Sequence, residues 1–125
     1  MRSLAREVEL VNPVVLVGVG GVAGALSRHL LGERIDARTG DTLAVNVLGS
    51  LAFGAVLAVP VGDSVVLALG TGFCGAFTTF STFAFETVRL FETGERRRAL
   101  ANAVVNLVGA LLAVWLGSTV AGLVT

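Results

Sequence analysis

Gly70-Thr71-Gly72-Phe73-Cys74-Gly75-Ala76-Phe77-Thr78-Thr79-Phe80-Ser81-Thr82-Phe83 lies inside an apolar run, yet it gathers three glycines, several hydroxyl side chains and phenylalanines spaced three apart. It is too apolar for a surface loop and more polar than a lipid-facing helix requires. At membrane depth every backbone N–H and C=O must find a partner, so a glycine-rich interruption is tolerated only where it is buried in protein or lines an aqueous cavity. The stretch therefore predicts a broken transmembrane helix that carries an ion pathway.

The rest of the composition agrees with a membrane setting. The 125 residues are 54% hydrophobic and only 14% charged, with a mean hydropathy of +0.86, whereas a soluble domain usually has about 25% charged residues to coat its surface. Sixteen glycines against two prolines suit close helix packing in a bilayer. Net charge is zero and all nine basic residues are arginine, mostly outside the apolar runs, which argues against nucleic acid as a partner. Cys74 is the single cysteine, so there is no internal disulfide or thiolate cluster, and packing is its simplest use. The first apolar run is long and has no clear cleavage site, which reads as an uncleaved span rather than a signal peptide.

Four spans follow, at about 12–31, 42–59, 65–91 and 99–124. Twenty residues at about 1.5 Å each match the hydrocarbon thickness of roughly 30 Å. They make residues 1–125 one all-α, four-helix transmembrane domain, multi-pass in the cell membrane, with the lipid bilayer as its solvent and the third helix broken near its middle. In the first span Gly20 and Gly24 form a GxxxG pair suited to close helix contact. Arg28, near its end, is either a snorkelling interfacial anchor or an attractor of ions. In the second span Asn46, Gly49, Ser50 and Phe53 share a helical face. A carboxamide at that depth must be bonded, so Asn46 reads either as part of a pathway or as an interhelical hydrogen bond. In the fourth span Asn102 and Asn106 lie one turn apart, and Gly109, Ala113 and Gly117 form a small-residue ridge for packing.

Gly70-Thr71-Gly72-Phe73-Cys74-Gly75 also matches G-x-G-x-x-G and follows a strand-like Val65-Val66-Leu67-Ala68-Leu69. Dinucleotide binding by such a motif needs alternating strands and helices, and this chain offers long spans instead. Counting arginines, two lie on the terminal side (Arg2, Arg6) and six on the side of the first and third loops (Arg34, Arg38, Arg89, Arg96, Arg97, Arg98). The positive-inside rule then puts those loops in the cytoplasm and both termini outside.

Gly21-Val22-Ala23-Gly24-Ala25-Leu26-Ser27-Arg28, Asn46-Val47-Leu48-Gly49-Ser50 and, above all, Gly72-Phe73-Cys74-Gly75-Ala76-Phe77-Thr78-Thr79-Phe80-Ser81-Thr82-Phe83 resemble the Fluc (CrcB-like) fluoride channels over nearly the whole chain. The resemblance implies a dimer of antiparallel four-helix subunits with two narrow fluoride pathways and a structural sodium ion at the dimer centre. Backbone carbonyls of Gly75 and Thr78 would hold the sodium, although Thr78 and Thr79 side chains could equally cap the break. Phe80 and Phe83 would line the fluoride path, since an aromatic ring edge is positive and accepts an anion. Ser81, Thr82 and Asn46 would supply hydrogen-bond donors in place of water, and Arg28 would concentrate anions at the vestibule. The chain departs from the family pattern at His29, where tyrosine is common, and at Asn106, where serine is expected. The arginine bias predicts one fixed orientation and an antiparallel partner, a related subunit of opposite bias; a homodimer is the alternative pairing.

The expected function is passive efflux of fluoride from the cytoplasm, which lowers fluoride toxicity. A small four-helix multidrug-type transporter is the alternative; it needs a membrane-embedded carboxylate, for which Glu86, toward a charged end, is the nearest candidate. A non-transporting scaffold would account for the glycine ridges but not for the polar break. No buried His–carboxylate pair, Cys–His arrangement or metal-ligand spacing points to an enzyme.

Overall fold

A computed structural model describes residues 12–35 and 40–125, which form helices and no strand. Helix α1 is Pro13–Arg34 and α2 is Gly40–Ala58. Helix α3 covers residues 63–77 in three pieces: Asp63–Val65, a π-helical Val66–Cys74, and Gly75–Phe77. Helix α4 is Phe80–Glu92 and α5 is Arg96–Val124. Together α3 and α4 make one stretch, Asp63–Glu92, so four stretches are long and apolar enough to cross a membrane. Arg2, Arg6 and Arg38, which enter the orientation count, lie outside the described residues.

The termini follow from local chemistry. Asn12 Oδ1 accepts from Val14 N–H at 2.9 Å and Pro13 takes the first helical position, where its missing N–H costs nothing. Helix α1 runs past the expected end at Leu31 to Arg34, with His29 paired to Glu33 one turn on at 3.1 Å and Arg34 in the last turn, where a cation favours the helix dipole. Between α4 and α5, Gly94 adopts φ +86°. Glu95 N–H returns to Leu90 O and Gly94 N–H to Phe91 O, the paired bonds of a left-handed helix stop that glycine permits.

Two glycine-mediated contacts hold the bundle. Helix α1 lies on the π-helical segment: a Cβ added to Gly20 would land on the Ala68 carbonyl oxygen, and one added to Gly24 on that of Phe73. Helix α2 lies on α5 in the same manner, with Gly54 against the Val114 carbonyl and Gly117 against that of Leu51. The GxxxG pair and the α5 ridge are thus packing surfaces, as expected. Outward-facing Val15, Val22, Leu26, Leu107, Leu111 and Leu123 are exposed; in a bilayer this face meets acyl chains.

One expectation shifts. The glycine run does not break the helix. It stays helical with i→i+5 bonding, and Gly75 N–H ends the π segment by donating to both Gly70 O and Gly72 O. The interruption comes later, at Thr78 (φ −81°, ψ 161°) and Thr79 (φ −145°, ψ 122°), both extended. Gly72 serves backbone contact with α1, while Thr79 caps the helix that restarts after the break with its own side chain.

Candidate functional site

The break is tied down by a carboxamide from another helix. Asn46 of α2 accepts from Thr79 N–H at 2.8 Å and donates Nδ2 to Thr79 O at 3.1 Å, so both backbone groups of a residue only 8% exposed are satisfied by one side chain. Of the two readings of Asn46, the interhelical bond is present, and it is made to the break itself. Thr79 is also the N-cap of α4: its Oγ1 accepts from Thr82 N–H at 3.3 Å and donates to Thr82 Oγ1 at 3.0 Å. Thr78 turns the other way, its hydroxyl donating to Cys74 O at 2.9 Å.

The break leaves the carbonyls of residues 75–78 without their α-helical partners, those of Gly75 and Thr78 among them. In a continuous helix Thr79 N–H would serve Gly75 O and Thr82 N–H would serve Thr78 O; here the first goes to Asn46 and the second to Thr79 Oγ1. Gly75 is exposed, with nothing within 4 Å of where its Cβ would be. It borders a cavity of about 380 Å³ shared with Gly49, Ser50, Phe53, Cys74 and Thr78. Thr78 O receives a long contact, 3.5 Å, from Arg28 Nη1.

Two further cavities meet at Thr79. One, about 290 Å³, is lined by Asn46, Thr78, Phe80, Phe83, Asn106 and Leu107. The other, about 380 Å³, is lined by Arg28, His29, Asp41, Thr42 and Thr82. The Phe80 and Phe83 rings lie 5.9 Å apart, tilted by 53°, and Phe80 is 78% exposed. Of the residues singled out in the sequence, Asn46, Phe80 and Phe83 come together in the first cavity and Arg28 and Thr82 in the second. Ser81 is exposed on α4 and lines neither.

Two participants were under-read. Asn106 is 5% exposed and accepts from Asn46 Nδ2 at 3.2 Å; three carboxamides at membrane depth, Asn46, Asn102 and Asn106, were the signal that they bond one another. Glu86, inside the third span as expected, reaches across to α2. Its Oε1 accepts from the Thr42 hydroxyl at 2.8 Å, and its Oε2 is buried without a hydrogen-bond partner among the described residues.

A family model described as "CrcB-like protein, Camphor Resistance (CrcB)" matches residues 15–118. The chain is 54% identical to fluoride-specific ion channel FluC 2 of Natronomonas pharaonis, over 81% of this chain and 87% of that one. It is 47% identical to FluC 2 of Moorella thermoacetica, over 85% and 93%, and 40% identical to FluC of Methanocaldococcus jannaschii, over 90% and 96%. Four spanning helices, a third broken beside paired phenylalanines, and these matches across nearly the full length lead to one assignment: this multi-pass membrane protein belongs to the CrcB-like family.

Proposed function

We propose that the protein is a fluoride-selective channel that lets fluoride leave the cytoplasm passively. One observation carries the reading: the Asn46-bound break opens beside Phe80 and Phe83 on a cavity at membrane depth. Fluoride is small and strongly hydrated, so a dry path must replace water with donors. Thr82 Oγ1 already accepts the Thr79 hydroxyl proton, which leaves its own proton to donate. The positive ring edges of Phe80 and Phe83 supply the apolar wall, and Arg28 beside Thr78 raises the anion concentration at the polar end. The test is fluoride efflux from liposomes with chloride in parallel. Fluoride flux without chloride flux, reduced at least about tenfold by Phe80→Ile, is expected; no flux from folded protein, alone or with an opposite-orientation partner, sinks the channel. Glu86 gives a proton-coupled carrier its embedded carboxylate, but such a carrier leaves the phenylalanine pair without a role.

The pathway is completed by a second subunit. Thr71, Gly75, Ser81 and Thr82 are exposed at membrane depth, where lipid offers them no partner. A homodimer, or a heterodimer with a related subunit of opposite orientation, would cover them; relatives numbered FluC 1 and FluC 2 are in keeping with paired chains. The freed carbonyls of Gly75 and Thr78 are hard oxygen donors, which fit a sodium ion shared between subunits. The ion would supply a fixed positive charge that holds the breaks together. Replacing sodium with a bulky organic cation should lower the temperature at which the purified dimer dissociates; an unchanged dissociation temperature removes the ion from this site.

A further inference from the structure

The hydrogen bonds that leave the break do not stop at Asn46. Its Nδ2 donates to Asn106 Oδ1 at 3.2 Å. Asn106 Nδ2 donates to Asn102 Oδ1 at 3.1 Å and to Asn102 O at 2.9 Å. Asn102 Nδ2 donates to Thr87 Oγ1 at 2.9 Å, and Thr87 Oγ1 donates to Phe83 O at 2.8 Å. Beyond Asn46 every donor points the same way, through α5 and back onto α4 beside the phenylalanine pair.

The direction is fixed by backbone groups, which cannot be inverted. Thr79 N–H requires the oxygen of Asn46 and Thr79 O requires its nitrogen. Asn102 O requires the nitrogen of Asn106, which leaves the Asn106 oxygen to face Asn46. Phe83 O takes the Thr87 proton, which leaves the Thr87 oxygen to accept from Asn102. Chains of this kind strengthen one another, and a partly satisfied one is costly in a low-dielectric interior.

The Asn46 carboxamide has two N–H groups, and both are committed, one to Thr79 O and one to Asn106 Oδ1. An anion in the cavity lined by Asn46, Phe80, Phe83 and Asn106 gains the second N–H only by displacing a buried Asn106 oxygen. Accordingly, we infer that Asn106, Asn102 and Thr87 are positioning residues: they form a one-way hydrogen-bond relay that holds the Asn46 carboxamide on the helix break and withholds its second N–H from the anion. The effect on anion binding rests on the channel reading; the hold on the break does not.

The experiment separates the two. Thr87→Val keeps shape and removes the hydroxyl, at a residue that lines neither cavity at the break; Thr87→Ser keeps the hydroxyl. Hydrogen–deuterium exchange of the detergent-solubilised protein should show the Thr79 amide exchanging about fivefold faster in Thr87→Val, the factor for one ordinary hydrogen bond, and returning to the wild-type rate in Thr87→Ser. Equal exchange in Thr87→Val and wild type overturns the relay whether or not the protein conducts. In liposomes, Asn106→Leu should lower the half-saturating fluoride concentration at least about fivefold, because the second Asn46 N–H becomes available. A half-saturating concentration that is unchanged or raised overturns the withheld donor. A wild type that carries no fluoride removes the channel reading, and the exchange result still decides the relay.

Discussion

Asn46→Leu is expected to abolish fluoride flux and to destabilise the fold by about 2–6 kcal/mol. The carboxamide satisfies both Thr79 N–H and Thr79 O, and these groups are buried. Leucine has similar bulk and neither bond. An orphaned buried polar group costs about 1–3 kcal/mol, and two are orphaned together, Thr79 N–H and the Asn106 Oδ1 that accepts from Asn46, in a setting where water cannot compensate; Thr79 O keeps the first intrahelical bond of α4. Asn46→Asp separates shape from bonding. One carboxylate oxygen can still accept from Thr79 N–H, but the other then faces Thr79 O and Asn106 Oδ1, and the new charge repels an entering anion. Both variants should fall to background in the liposome assay, with a lowered Tm; wild-type Tm and flux in Asn46→Leu would show that the break does not depend on this side chain.

The double substitution Gly20→Ala with Gly24→Ala is expected to disrupt folding even though alanine favours a helix over glycine by about 1 kcal/mol per residue. At Gly24 the added methyl would meet Phe73 C at 2.9 Å and Phe73 Cα at 3.0 Å, besides the carbonyl oxygen, and at Gly20 it would meet Ala68 C at 2.9 Å. These are backbone atoms and cannot swing aside. Overpacking typically costs about 1–3 kcal/mol per site and occasionally more, which exceeds the propensity gain at each position. Gly18→Ala is the control on the same helix: nothing lies within 4 Å of its added methyl, so only the propensity gain remains. The double variant should show a strongly lowered Tm and Gly18→Ala one equal to or above wild type; similar values for the two would mean that α1 does not depend on close backbone approach.

Much of this architecture was legible in the residues. Twenty-residue apolar runs set the four spans, the Gly20–Gly24 spacing gave the α1 contact, and the depth of Asn46 announced that it had to be bonded. The resemblance carried by Thr78 through Phe83 pointed to the family. What the sequence did not show was where the helix opens. Glycines mark conformational freedom, but freedom is spent on backbone contact at Gly20, Gly24 and Gly72, and a π-helix keeps its hydrogen bonds. Opening occurs where side chains can replace the lost bonds: the Thr79 hydroxyl takes Thr82 N–H and the Asn46 carboxamide takes Thr79 N–H. Nor did the sequence show which carboxamides pair. Asn46 and Asn106 are sixty positions apart, and only the α2–α5 packing brings them together. Glu86 was read by its proximity to the arginines, whereas the helix turns it toward Thr42.

The π-helical segment has a consequence for length rather than for composition. Each residue of an α-helix advances the chain by about 100° around its axis, while Val66–Cys74 is wound more loosely, with bonds that skip one extra residue. Were the segment to relax to ordinary winding at the same chain length, each residue would turn further about the axis and everything downstream would take a new heading. Thr79 would no longer face Asn46, nor Phe83 the cavity. The segment thus acts as a counting device: its loose winding sets the direction in which the break faces, and one residue fewer is the change in length that a return to ordinary winding would absorb.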